Sequence, residues 1–226
     1  MDNKNSKKNN IGFTLVELIV VLVILAILAA ILLPNMVGFI DRAKQKKYLL
    51  NAKNCLTAAQ AELTELYAKS SDDLKVNDYL ITDYKKKFDG KNGDCDARDS
   101  ELAKRILSTA DRKGNQPYVF MIAVGGNWEK QGGKSNTSKH EKYTVLYAFY
   151  METSDLESRC YYYDGRWTRT NPRVHNTDYY FSTYNKILSG PMKDKRVQYY
   201  VIADNTNKAH GDVLSSAWWE WLRSME

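Results

Sequence analysis

The chain has 226 residues, 43% apolar and 27% charged, with three cysteines and a formal charge of +6. That balance excludes an intrinsically disordered chain, a polytopic membrane protein and a disulfide-dense scaffold. The positive excess is modest and spread along the chain, so it permits contact with acidic surfaces or nucleic acid without arguing for either.

The first ten residues hold Lys4, Lys7 and Lys8 against Asp2. From Leu18 to Leu33 every residue is apolar, and the apolar character reaches back past Glu17 to Ile11, broken only by Gly12 and Thr14. About 20 apolar residues span a bilayer as a helix, and the basic start places the N-terminus in the cytoplasm. The run ends Leu32-Leu33-Pro34-Asn35 without a small-residue cleavage pattern, unlike a secretory signal peptide. Glu17 is the ionisable residue of this segment. A carboxylate in hydrocarbon costs on the order of 2.5–3.5 kcal/mol near a helix centre and less near the interface, so its presence there points to a purpose.

Gly12-Phe13-Thr14-Leu15-Val16-Glu17, followed by the apolar run, resembles the class III signal of type IV pilins and pseudopilins. The resemblance implies that a prepilin peptidase cuts on the cytoplasmic side, after Gly12, and methylates the new terminus at Phe13. It also matches Glu17 to the family's assembly glutamate and Pro34 to its helix-kinking proline. Asp41-Arg42-Ala43-Lys44 resembles the segment just beyond the membrane, whereas Ala26 stands where many members carry glycine. The residues fit these roles physically. Glycine lacks a Cβ and adapts to a protease cleft. A free amine at Phe13 needs a partner in hydrocarbon, which Glu17 of a neighbouring subunit can supply. Such a pair gives registry more reliably than net stability.

Beyond Pro34, Leu49, Ala52, Leu56, Ala59, Leu63 and Leu66 recur at three- and four-residue spacing, with Lys44, Lys46, Lys47, Lys53 and Glu62 at other positions. This predicts that helix continues from Phe13 to about Ala68, its second half amphipathic. The polar segment 70–98 follows, and Ser100 can cap a helix through about Asp111. Strands are predicted at 118–124, 143–150 and 196–203, with a tight hairpin from Arg159 to Tyr163, through Asp164-Gly165, to Arg166-Trp167-Thr168. Leu214, Trp218, Trp221 and Leu222 are spaced like a short helix within 213–225. The expected class is α+β, a long helix packed against an antiparallel sheet, as the resemblance also implies. The expected divisions are a leader at 1–12, a transmembrane and filament-core helix at 13–34, the amphipathic half at 35–69, and a globular head at 70–226.

Three cysteines, Cys55, Cys95 and Cys160, allow three pairings. Cys95–Cys160 is the favoured candidate, because both fall in the loop and sheet region, while Cys55 on a helix suits a small core residue. Asn92, Asp94 and Asp96 alternate as in a calcium loop, but Ala97 and Ala103 stand where such a loop needs its glycine and its bidentate glutamate. No metal is expected. His140, His175 and His210 are scattered, and no serine or cysteine carries a nucleophile signature. Neither an enzyme nor a cofactor is expected. Tyr161-Tyr162-Tyr163, Tyr179-Tyr180 and Tyr199-Tyr200 place rings on both faces of strands, so some are expected to point outward. Sheet packing and subunit contacts are the favoured use of these rings, and outward ones beside Lys and Arg would also suit glycan or nucleic acid.

The resemblance thus implies a structural subunit, inserted as a single-pass cytoplasmic-membrane precursor and polymerised into an extracellular pilus used in adhesion, motility or uptake. Its implied partners are prepilin peptidase, an inner-membrane assembly platform and other pilin subunits, as a homopolymer or with minor pilins. The alternatives are a pseudopilin of a type II secretion or competence apparatus, and a minor tip pilin whose head binds DNA or glycan.

Overall fold

The computed structural model describes residues 12–69, 95–96, 100–125, 138, 140–172, 192, 195, 197–206, 218, 221, 222 and 224. The chain divides into two compact units, Met1–Lys44 and Gln45–Glu226. Helix α1 spans Leu15–Lys69, close to the bounds that periodicity predicts. It stays helical through Pro34, which has no N–H to offer the Ala30 carbonyl. In the first unit its large apolar side chains from Leu15 to Leu32 are 49–73% exposed. The segment Leu15–Leu32 is long and apolar enough to cross a membrane.

In the second unit α1 buries Ala52, Ala59, Leu63 and Leu66 of the predicted stripe and adds Cys55 and Ala58, while Leu49 and Leu56 are only half-buried at its edge. Glu62 departs from the expected solvent face and is only 8% exposed. Its carboxylate accepts a hydrogen bond from Thr109 Oγ1 (2.8 Å) and pairs with Arg105. Both partners belong to helix α2, Glu101–Thr109. Burial of that charge is offset by pairing with groups that lie far along the chain.

Helix α2 starts where Ser100 was expected to cap it, with Ser100 Oγ accepting from the Ala103 N–H at 3.0 Å. It ends in a Schellman turn. Asp111 N–H donates to the Ser108 carbonyl (3.0 Å) and Arg112 N–H to the Leu107 carbonyl (2.7 Å), with Asp111 at φ 55° in the position usually given to glycine. This turn delivers Arg112, 7% exposed, into the protein interior.

Among the described residues six strands form one sheet: β1 (Cys95–Asp96), β2 (Val119–Gly125), β3 (Val145–Met151), β4 (Arg159–Tyr163), β5 (Arg166–Thr168) and β6 (Val197–Asp204), in the order β1-β6-β2-β3-β4-β5. The pairings from β6 to β5 are antiparallel, as expected, and β1 adds a short parallel edge. The β4–β5 hairpin closes through Asp164 (φ 51°) and Gly165 (φ 74°), two positive φ values that match a type I′ turn and the strand twist. Gly125 ends β2 against the 3-10 turn Glu141–Tyr143. A Cβ there would lie 2.8 Å from the Glu141 carbonyl carbon and oxygen, which only glycine permits.

Cores lie on both faces of the sheet. Phe120, Ile122, Tyr150 and Tyr200 face the stripe of α1 and the buried residues of α2. Met121, Phe149, Tyr161 and Tyr199 pack with Trp218 and Leu222 on the opposite face. Of segment 213–225, Trp218, Trp221, Leu222 and Ser224 are described, the first three helical and Ser224 in a turn. This second cover corrects the expectation for tyrosine. Tyr199 and Tyr200 point to opposite faces, yet both are buried, and among 161–163 only Tyr162 and Tyr163 are half-buried. Tyr179 and Tyr180 lie outside the described residues.

The strand order also overturns the Cys95–Cys160 pairing. Cys95 in β1 and Cys160 in β4 are four strand spacings apart, roughly 19 Å at about 4.8 Å each. A disulfide needs Cα atoms within about 7 Å. Cys160 and Cys55 are both free, buried thiols.

Candidate processing and assembly site

The predicted processing residues lie just outside helix α1. Gly12, Phe13 and Thr14 are non-helical, and α1 begins at Leu15. Phe13 is 81% exposed, and no atom would lie within 4 Å of a Cβ added at Gly12. The Phe13 side chain and the Cβ side of Gly12 are thus open among the described residues.

Thr14 fixes where the helix starts. Its N–H and its hydroxyl both donate to Glu17 Oε2, each at 2.8 Å, and the Glu17 N–H donates back to Thr14 Oγ1 at 3.2 Å. This is a capping box, in which two otherwise unpaired backbone donors of the first turn are satisfied reciprocally. The first helical bond of α1 follows from it, Leu18 N–H to the Thr14 carbonyl at 3.2 Å. Glu17, expected to serve a neighbouring subunit, already has a partner within its own chain. Sequence reasoning passed over Thr14, although Thr-x-x-Glu before an apolar run is itself the signal.

Downstream, Pro34 lies inside α1 some five turns from Glu17, by ~3.6 residues per turn. The apolar surface between them has no partner among the described residues of its own unit. At Asp41-Arg42-Ala43-Lys44 the Arg42 guanidinium lies 5.8 Å from the centre of the Phe39 ring, a cation–π contact within the same helix.

Three polar contacts fasten the second half of α1 to the head. Gln60 brackets the start of β3, with Nε2 donating to the Tyr143 carbonyl (3.0 Å) and Oε1 accepting from the Val145 N–H (2.9 Å). Arg105 Nη2 lies 2.6 Å from Glu65 Oε2, beside the Glu62 contacts described above. Deepest is a cluster around Glu152. Its carboxylate meets Arg112 Nη2 at 2.8 Å and Asn51 Nδ2 at 3.0 Å, and also accepts from the Tyr150 hydroxyl. Burial alone would raise the Glu152 carboxyl. Hydrogen bonds from Tyr150, Asn51 and Arg112, with the Arg112 charge, hold it below the usual carboxylate range. Burial and donation to Glu152 push the Tyr150 phenol up. Cys55 beside them is pushed up to about 12, by burial first, with Arg112 opposing and Glu152 adding to it. A thiol so shifted stays protonated and inert, as a core residue should.

His140 is exposed and stacks edge-on with Tyr67, with ring centres 6.1 Å apart. His175 and His210 lie outside the described residues, as do Asn92 and Asp94 of the calcium-like loop. Among the described residues no three His, Cys, Asp or Glu side chains converge as metal ligands.

The prokaryotic N-terminal methylation motif matches residues 7–33, which contain Gly12, Phe13, Thr14 and Glu17. A curated relative, the type IV major pilin protein PilA of Myxococcus xanthus (strain DK1622), is 33% identical over 93 residues. That match covers 40% of this chain and 42% of the relative, so the chain spans less than half of that protein. No solved structure matches.

Proposed function

With an N-terminal segment of the type IV pilin and pseudopilin family as premise, we propose that this chain is a structural subunit of a type IV pilus-like surface filament. Residues 1–12 serve as a leader, removed by prepilin peptidase after Gly12, and Phe13 becomes the methylated terminus. The precursor sits once through the cytoplasmic membrane with its N-terminus inside, as Lys4, Lys7 and Lys8 favour. Residues 13–34 then form the filament core with other subunits, delivered by an inner-membrane assembly platform. Residues 35–69 and the head at 70–226 carry whatever adhesion, motility or uptake role the filament has.

The observation that carries this reading is the uncovered apolar surface of α1 from Leu15 to Leu32. Lipid covers it in the precursor and helix packing covers it in a fibre, so transfer from one to the other never exposes it to water. Glu17 adds registry, because a carboxylate at that depth favours the one stacking that brings it a neighbour's amine.

Mass spectrometry of filaments sheared from cells tests the reading. A methylated Phe13 terminus as the dominant species establishes a processed major subunit. The same terminus at trace level assigns the chain to a minor pilin or a pseudopilin. An intact Met1 terminus, with protein only in membranes, overturns the reading.

A further inference from the structure

We propose that the Thr14–Glu17 capping box is a positioning device for processing, holding the Gly12–Phe13 peptide outside helix α1 so that a protease can engage it. The inference rests on the processing reading above and assigns a second role to Glu17, separate from assembly.

A peptide bond enters a protease cleft only if its N–H and C=O are free to pair with the enzyme. In a helix both are tied to the chain itself. The first turn of α1 has N–H groups without helical acceptors, and in an apolar environment these groups strongly favour any acceptor available. Without a cap, the nearest acceptors are the carbonyls of residues 10–13. Winding the helix back by one turn would recruit them and draw the scissile peptide into the helix. The capping box removes that incentive. Thr14 Oγ1 accepts from the Glu17 N–H, Glu17 Oε2 takes the Thr14 N–H, and the helix stops at Leu15. Phe13 is left 81% exposed, and Gly12 has open space around it.

The chain uses the same device elsewhere, in the second unit. Ser138 N–H donates to Glu141 Oε2 (2.7 Å) and Glu141 N–H to Ser138 Oγ (3.2 Å), at the start of the 3-10 turn Glu141–Tyr143. The Thr14 box differs in standing two residues from a bond that must be cut.

The test is cleavage of the full-length precursor in membrane vesicles by prepilin peptidase, with kcat and KM measured separately. If the box sets the fraction of precursor whose scissile peptide is extended, its loss raises KM and leaves kcat alone. Thr14→Ala and Glu17→Leu are expected to raise KM about fivefold, in line with the usual effect of losing an N-cap. Thr14→Ser and Glu17→Gln, which retain capping groups, are expected to restore KM to within about twofold of wild type. Membrane fractionation checks that each variant is inserted. Wild-type cleavage with unchanged KM in both Thr14→Ala and Glu17→Leu overturns the inference and leaves the processing reading intact. A fall in kcat with KM unchanged also overturns it, by placing these residues in the chemical step. No cleavage of the wild-type precursor overturns the processing reading itself.

Discussion

Between Leu15 and Leu32, α1 carries large apolar side chains on every side and leaves all of them uncovered, whereas between Ala52 and Leu66 it buries one narrow stripe of mostly small residues. The backbone is helical in both stretches, so the difference lies in what each half can pack against. The second half has its partners in the same chain, and the spacing of Ala52, Cys55, Ala59 and Leu63 is explained by the sheet and α2. The first half has a composition that nothing in the described residues of its unit accounts for, and the filament reading proposed above gives it lipid and then other subunits as partners. A helix that is apolar all round belongs in such surroundings.

The largest expected effect that sharpens this contrast is at the Glu152 cluster, which ties the second half of α1 to the head. Arg112 and Glu152 are each only 9% exposed at the side chain, so Glu152→Ala leaves a buried cation without its partner. Thermal unfolding of the full chain in detergent should show a loss of about 3–5 kcal/mol. The same cluster sets a pH dependence. Because the folded-state carboxyl titrates below its ordinary value, its contribution is complete above the unfolded pKa of about 4.3 and is lost as pH falls through the lower folded value. A plot of unfolding midpoint against pH should therefore fall away in acid for wild type, and less steeply for Glu152→Gln.

A matched pair of truncations tests the two halves directly. Leu63→Ala, in the core, should destabilise the head by about 2–5 kcal/mol. Leu25→Ala, 56% exposed at wild type, should leave the head's unfolding midpoint unchanged. Equal losses in the two variants would break the distinction drawn here. At Gly125, alanine should cost about 1–3 kcal/mol, because the Glu141 backbone would have to move away from the new methyl group. The smallest effect has the opposite sign. Asp111→Gly relieves a left-handed conformation at the end of α2 and should stabilise by about 0.5–1 kcal/mol in the same melting experiment.

Much of this architecture could be read from residues in sequence, wherever the signal is local. The α1 bounds, the Ser100 cap and the Asp164-Gly165 hairpin each follow from spacing or from a turn that only certain residues permit. Non-local pairing is what escaped. Glu62 reads as a surface residue because Thr109 and Arg105 become its neighbours only when α2 folds back. Tyr199 and Tyr200 read as one inward and one outward because the second cover, with Trp218 and Leu222, comes from the chain's far end. The Cys95–Cys160 pairing failed because β1 is an edge strand with β6, β2 and β3 between it and β4, a strand order no local pattern encodes. Within the N-terminal methylation motif Gly12, Phe13 and Glu17 were legible, while Thr14 was passed over because it was read only as part of the resemblance.

The Asp164-Gly165 turn has a practical use. It joins two short strands at one edge of the sheet, both its residues are exposed, and Asp164 and Gly165 keep their positive φ values with no Cβ crowding at Gly165. Exposed tips of this kind tolerate added residues better than the strands they join. A short epitope or fluorophore-binding tag placed there would make copies of the chain countable by microscopy on intact cells, and so would test whether it forms a filament at all and, if so, whether as its bulk or as a rare component.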